Sequence, residues 1–199
     1  MSQDPYAPPT SPLNGPTPSQ LADTGLKYST FWSRVGAGLI DFIFISPLLA
    51  VNYFMGDSAA THLYLILVTQ LVTAFLYVYM VAKFGGTPGK LALGLRVAML
   101  DGAPVNVKAA CLRYGIWWTL GLISGIGMAI AATSIAPETL SSGYMARTMA
   151  MSEVMPGWAV AASYGTQLFA LASIIAMLVN DQRRTLHDFV AGTVVVRKS

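Results

Sequence analysis

The chain has 199 residues, 54% of them hydrophobic and only 11% charged, whereas an ordinary soluble domain carries roughly 25% charge. This argues against a water-soluble globule and for an integral membrane protein of one domain. The net charge of +3 is too small a surplus to suggest nucleic acid as a partner. Cys111 is the single cysteine, so no intrachain disulfide forms. His62 and His187, the only histidines, fall in different parts of the chain and supply a Cys/His zinc site poorly. Neither a metal nor a cofactor is expected.

Residues 1–26 hold Pro5, Pro8, Pro9, Pro12, Pro16 and Pro18 among Ser, Thr, Gln and Asn, with no apolar run. Such a segment cannot bury enough surface to offset its ordering entropy, so it reads as a disordered tail ahead of a transmembrane domain over 27–199. The basic start and apolar core of a signal peptide are missing.

Four stretches then come near the roughly 20 apolar residues that about 30 Å of hydrocarbon requires. They run about Val35 to Phe54, Leu63 to Ala82, Tyr114 to Ala132 and Ala159 to Val179. In lipid the backbone must satisfy its own hydrogen bonds, so each is predicted to be a helix. The expected fold is therefore an all-α, four-helix transmembrane bundle. With the N-terminus inside, 11 of the 12 basic residues fall in inside segments and only Arg147 lies outside, as the positive-inside rule requires. Both termini are then cytoplasmic. Phe31, Trp32, Trp117 and Trp118 would mark the inner interface, and Tyr53, Tyr64 and Trp158 the outer one.

Between the second and third spans, Gly85-Gly86-Thr87-Pro88-Gly89-Lys90 is rich in turn residues but one residue short of a Walker A loop, and Leu91 follows where Ser or Thr is needed. Leu95 to Leu100 reads as a strand, Asp101-Gly102 as a hairpin turn and Val105 to Val107 as a partner strand. Thr193 to Val196 is β-branched throughout. A small β-hairpin or three-stranded sheet at the cytoplasmic side is expected from these pieces. In the third span, Gly121-x-x-x-Gly125 suits a close helix contact, within the monomer or across a dimer. Along the fourth, Ala162, Thr166, Ala170 and Ser173 form a packed stripe. The outer loop carries Met145, Met149, Met151 and Met155, readable as soft Cu(I) ligands or as pliable filler on an amphipathic surface helix.

The ionisable groups near the membrane need most explanation. Asp41 lies seven residues past Arg34, an advance of about 700° and about 10 Å, so both point to one side of the first helix. A lone carboxylate that deep in hydrocarbon costs on the order of 2.5–3.5 kcal/mol, so Asp41 should face the bundle and find a partner. Pairing among Arg34, Asp41, Arg183 and Asp188 is geometrically open at this point.

Three blocks carry a resemblance: Arg34-x-x-Ala37-x-x-Ile40-Asp41; Gly86-Thr87-Pro88-Gly89-Lys90 with Gly94-Leu95-Arg96-Val97; and Arg184-x-Leu186-His187-Asp188 with Ala191-Gly192-Thr193. Together they resemble the RDD family of membrane proteins, whose Arg, Asp and Asp correspond to Arg34, Asp41 and Asp188. The resemblance implies a polytopic protein, mostly of bacterial inner membranes, with transport of ions or small molecules among the suggested roles. The segment from Ser134 to Gly157 departs from the family pattern. Gly89, Lys90, Arg96, Arg184 and His187 fall in the supporting blocks, where the basic residues also act as topology determinants.

No catalytic motif survives inspection, so an enzyme is not expected. Two readings remain. In one, Asp41 exchanges a proton or cation and Arg34 with Asp188 forms the cytoplasmic gate of a transporter, for which a homodimer or larger assembly is expected because four helices are few. In the other, Arg34, Asp41 and Asp188 are a structural ion-pair lock in a membrane scaffold or accessory subunit. Besides the bilayer and a second copy, no partner is indicated.

Overall fold

The computed structural model describes residues 27–55 and 58–197. The expected tail over 1–26 lies outside them. Four helices are long and apolar enough to cross a bilayer: α1 (Phe31–Met55), α2 (Ala59–Phe84), α4 (Val107–Ser134) and α7 (Gly157–Val179). Short helices α3 (Pro88–Ala92), α5 (Pro137–Ser141), α6 (Tyr144–Glu153) and α8 (Leu186–Ala191) fill the connections, with strands β1 (Leu95–Met99) and β2 (Thr193–Arg197).

The spanning helices start earlier than their apolar runs because capping side chains set the starts, not hydropathy. The Ser33 N–H donates to Thr30 Oγ1 at 3.3 Å, the Thr61 N–H to Ser58 Oγ at 3.2 Å and the Ala109 N–H to Asn106 Oδ1 at 2.8 Å. The last of these moves the start of α4 back to Val107, which brings Arg113 onto the helix. Within α2, Phe75–Tyr79 forms a π-helical turn, a widening found often at functional sites.

The outward faces are apolar. Leu39, Ile43, Leu71 and Val179 are 64%, 67%, 72% and 80% exposed, as lipid-facing side chains would be. The interior is built from small residues, with Ala37, Ala131, Ala132 and Ala159 no more than 1% exposed. Without a hydrophobic drive between helices in lipid, close backbone approach supplies the packing. A Cβ on Gly127 would sit 2.0 Å from that of Ala159 on α7, and one on Gly125 would sit 3.0 Å from Ile66 on α2. Gly125 and Gly127 of α4 therefore serve close contacts inside the monomer. Ala162 and Ser173 of the expected α7 stripe are buried.

The sheet has two antiparallel strands, β1 and β2, in register from Leu95 opposite Arg197 to Met99 opposite Thr193. Its partner for β1 is thus the C-terminal segment, not Val105 to Val107. The turn after β1 returns only as far as an isolated bridge between Ala98 and Pro104, because Asn106 already caps α4 and Val107 begins it. On the other edge Tyr28 bridges Val196. One sheet face packs on Val81, Val105, Ala109 and Ala110, so this small core fixes the sheet to the ends of α2 and α4.

At the opposite end of the bundle, α6 places Arg147 against the C-terminus of α1, where its guanidinium donates to the carbonyls of Asn52 at 3.1 Å and Tyr53 at 3.2 Å. A cation there satisfies terminal carbonyls and complements the helix dipole. Met151 is buried and, with Met155, lines a pocket between the helices, while Met145 and Met149 are exposed, so the four loop methionines do not share one surface.

Overpacking a tight core costs about 1–3 kcal/mol. Gly127→Leu is expected to lower the thermal unfolding midpoint in detergent. Gly115→Ala, whose Cβ meets nothing within 4 Å, should leave it unchanged or slightly higher.

Candidate functional site

Thr185 and Asp188 form a capping box at the start of α8. The Thr185 N–H and hydroxyl donate to Asp188 Oδ2 at 3.1 and 2.7 Å, which points the carboxylate into the junction of α1, α4 and β2. There Arg34 Nη1 meets Oδ2 at 3.0 Å. Arg113 Nη1 bonds Oδ1 and also the Thr193 hydroxyl at 2.9 Å, and that hydroxyl donates to Oδ1 at 3.1 Å. Asp188 is fully buried. Burial alone would raise its carboxyl, but Arg113 foremost, with Arg34 and the Thr185 N–H, holds it well below the usual carboxylate range.

Further groups brace this centre. Arg34 Nε donates to Ser29 Oγ at 2.7 Å. Arg184 donates to the carbonyls of Thr193 and Asp188, both at 3.1 Å, and its guanidinium lies 4.2 Å from the Phe189 ring centre. His187 Nε2 lies 3.3 Å from Arg113 Nη2. A guanidinium only donates, so Nε2 accepts and the imidazole proton sits on Nδ1. Burial, then Arg113, pushes the His187 pKa down to about 3, which leaves the ring neutral at ordinary pH.

Asp41 does not pair with Arg34, although the two share a helix side. The reason is reach. Arg34 stands level with α8, whereas Asp41, about two turns further along, faces α3. Its Oδ2 accepts from the Thr87 hydroxyl at 2.6 Å and its Oδ1 from the Gly89 N–H at 2.7 Å. The carboxylate therefore caps α3 from outside, and neutral donors replace the basic partners expected from sequence. Gly89 is required for this approach, since a Cβ there would sit 2.0 Å from the Ala37 carbonyl oxygen. Lys90 Nζ donates to the same Thr87 hydroxyl at 3.3 Å.

The other expected residues are less central. Arg96 on β1 and Arg183 are exposed, and neither joins an ion pair among the described residues. Thr87 and Thr193 stand in the quoted motif blocks without a site role of their own, and Arg113 and Thr185 are not site candidates from sequence. The Thr185-x-x-Asp188 spacing is a legible capping-box signal, whereas Arg113 read only as one of the inside bases.

Beside this polar end lies a cavity of about 530 Å³ among all four spanning helices. Lys90, Arg113 and His187 line one part, and Thr69, Gln70 and Thr166 another. Trp117, expected at the membrane interface, lines this interior space. No group of three or more His, Cys, Asp or Glu side chains able to hold a metal occurs among the described residues.

A family model described as RDD family matches residues 28–192, which includes all three motif blocks. The chain is similar to the Uncharacterized protein YckC of Bacillus subtilis (strain 168), 26% identical over 175 residues that cover 85% of this chain and 84% of that one. No solved structure matches it.

Removing the charge of Asp188 would strand two buried guanidinium groups, a change worth about 3–5 kcal/mol. Asp188→Asn is expected to lower the yield and unfolding midpoint of detergent-purified protein severely. Asp41→Asn should cost far less, because its amide oxygen can still accept from Gly89 while its NH2 donates to the amphoteric Thr87 hydroxyl. Equal losses in the two variants would contradict this division of roles.

Proposed function

The chain belongs to the RDD family, and from that premise we propose that it is a transport protein that takes a small polar solute into the cavity among its four spanning helices. The cavity is the observation that carries this reading. At about 530 Å³ it falls within the ~300–1,000 Å³ typical of small-molecule sites. It is also lined by Thr69, Gln70, Thr73 and Thr166, polar side chains at depths where spanning helices otherwise present apolar ones. Polar groups inside a spanning bundle mark pathways.

In this reading Asp41 is not the exchanging group. Both of its oxygens are engaged by α3, and both oxygens of Asp188 are engaged by fixed partners. Those contacts favour the structural half of the alternative, in which Arg34, Asp41 and Asp188 lock the helices to the sheet. The lock then provides a rigid wall and the cavity provides the solute site. The excess of Lys and Arg near the sheet end supports placing that end in the cytoplasm, in a bacterial inner membrane. Association of copies would supply the remainder of a path across so few helices.

The test is an uptake screen in proteoliposomes with sodium, lithium, choline, glycerol, glycine, benzoate and phosphate. Uptake of at least one probe above empty liposomes is expected. It should be lost in Gly121→Leu and Thr166→Leu, which fill the cavity, and kept in Asp41→Asn. Uptake lost in a well-folded Asp41→Asn would return the role to that carboxylate, and no uptake of any probe would leave the scaffold reading.

A further inference from the structure

The cavity has an electrical sign. At its sheet end four basic side chains, Arg34, Lys90, Arg113 and Arg184, gather around two carboxylates, Asp41 and Asp188. Asp188 is shared between Arg34 and Arg113, and Asp41 is spent on Thr87 and Gly89. Lys90 consequently has no carboxylate within 4.0 Å among the described residues. Its ammonium donates to the Thr87 hydroxyl and lies 6.0 Å from the Tyr77 ring centre, contacts that orient the charge without cancelling it. Lys90 and Arg113 both line the cavity. His187, which lines it too, keeps a buried Nδ1 donor with no hydrogen-bond partner among the described residues. Surplus positive charge in a low-dielectric interior is costly until a counter-charge arrives.

We propose that this cavity takes a ligand bearing a carboxylate or phosphate group, with Lys90 and Arg113 holding the anionic group and the ligand body lying toward Trp117 and Gln70. The inference rests on the solute-site reading above and narrows it to a class opposite in sign to a cation at Asp41. An ammonium and a guanidinium are the two side chains best suited to such groups, one as a point charge and one as a planar fork. The body meets an aromatic wall. The π-helical turn of α2 carries Tyr77, which stacks on Tyr114 of α4 with ring centres 5.3 Å apart.

Binding should weaken at alkaline pH. Lys90 is surrounded by Asp41 and Arg34 of α1, Tyr77 of α2, Arg113 and Tyr114 of α4, and His187 and Asp188 of α8. Burial, then Arg113, pushes its pKa down to about 8, against the opposing pull of Asp41 and Asp188. Its charge is present below that pH and lost above it. His187 stays neutral through the range, so the fall is single.

The experiment follows the thermal unfolding midpoint of the purified full chain in detergent at constant ionic strength. Probes are sodium benzoate, inorganic phosphate, lithium ion and benzamide, which keeps the benzoate shape without the charge. Saturable stabilisation by benzoate or phosphate alone is expected. The affinity should fall about tenfold or more in Lys90→Gln, the scale of a lost charge-assisted bond, and recover in Lys90→Arg. If Lys90→Gln does not fold, the same loss must appear in the unaltered chain with benzoate, whose charge is constant across this range, as pH rises through about 8. A parallel arm compares nanodiscs of phosphatidylcholine with and without phosphatidylglycerol. Stabilisation by phosphatidylglycerol that depends on Lys90 assigns the anionic group to a lipid headgroup. Equal stabilisation by benzamide or lithium, or anion binding indifferent to both Lys90 and pH, overturns the inference while leaving a solute site in place. No stabilisation by any anion overturns it as well, and the uptake screen then decides the solute reading separately.

Discussion

The buried carboxylate of Asp188 is the contact on which the rest of this structure depends. It joins α1 through Arg34, α4 through Arg113, its own helix through Thr185 and β2 through Thr193. A carboxylate with no exposure is tolerable only when its charge and its lone pairs are matched. Here two guanidinium groups match the charge, and the two threonine hydroxyls and one N–H complete the lone pairs. Because spanning helices gain little from apolar contact with one another in lipid, such a polar knot fixes their mutual positions more sharply than their outer faces can.

Once α1 is fixed at Arg34, Asp41 is carried to the level of α3, and a second and different knot forms. It contains no ion pair. Its strength lies in close approach: Gly89 lets α3 lie against the Ala37 carbonyl, and Asp41 then reaches the Thr87 hydroxyl and the Gly89 N–H. The same contact sets Lys90, whose ammonium is tied to Thr87, at the edge of the central cavity. Thus one acidic residue organises the helices and the other organises a basic side chain beside a void.

Much of this architecture was legible in the sequence, and the limits have physical causes. Hydropathy located four spans because the lipid-facing sides are apolar, but it could not find their first turns, where Thr30, Ser58 and Asn106 take over by hydrogen bonding. Helical spacing placed Arg34 and Asp41 on one side correctly. It could not assign partners, since these come from α8 and α3, distant in sequence and invisible to a periodicity. Arg113 looked like one more base at a membrane edge, because its role arises only when Asn106 starts α4 early and Asp188 is delivered from α8. Thr193 to Val196 announced a strand, yet the pairing of that strand with β1 instead of a hairpin return depends on Pro104 and Asn106 leaving the sheet for the helix. The cavity had no sequence signature, being a gap between side chains of different helices.

One arrangement also bears on how the polypeptide is made. Arg34 and Asp188 stand 154 positions apart, and β2 closes the sheet against the residues just before α1, through the Ser29 N–H to the Val195 carbonyl and the Arg197 N–H to the Lys27 carbonyl. At ~5–20 residues per second of synthesis, the first helix waits about ten to thirty seconds for its acidic counterpart to leave the ribosome. Headgroups and water must serve that guanidinium meanwhile, as long basic side chains allow by stretching to the interface. A product terminated ahead of Asp188 keeps this unmet charge, so delivery of α8 makes the folded bundle physically distinguishable from one that stops at α7.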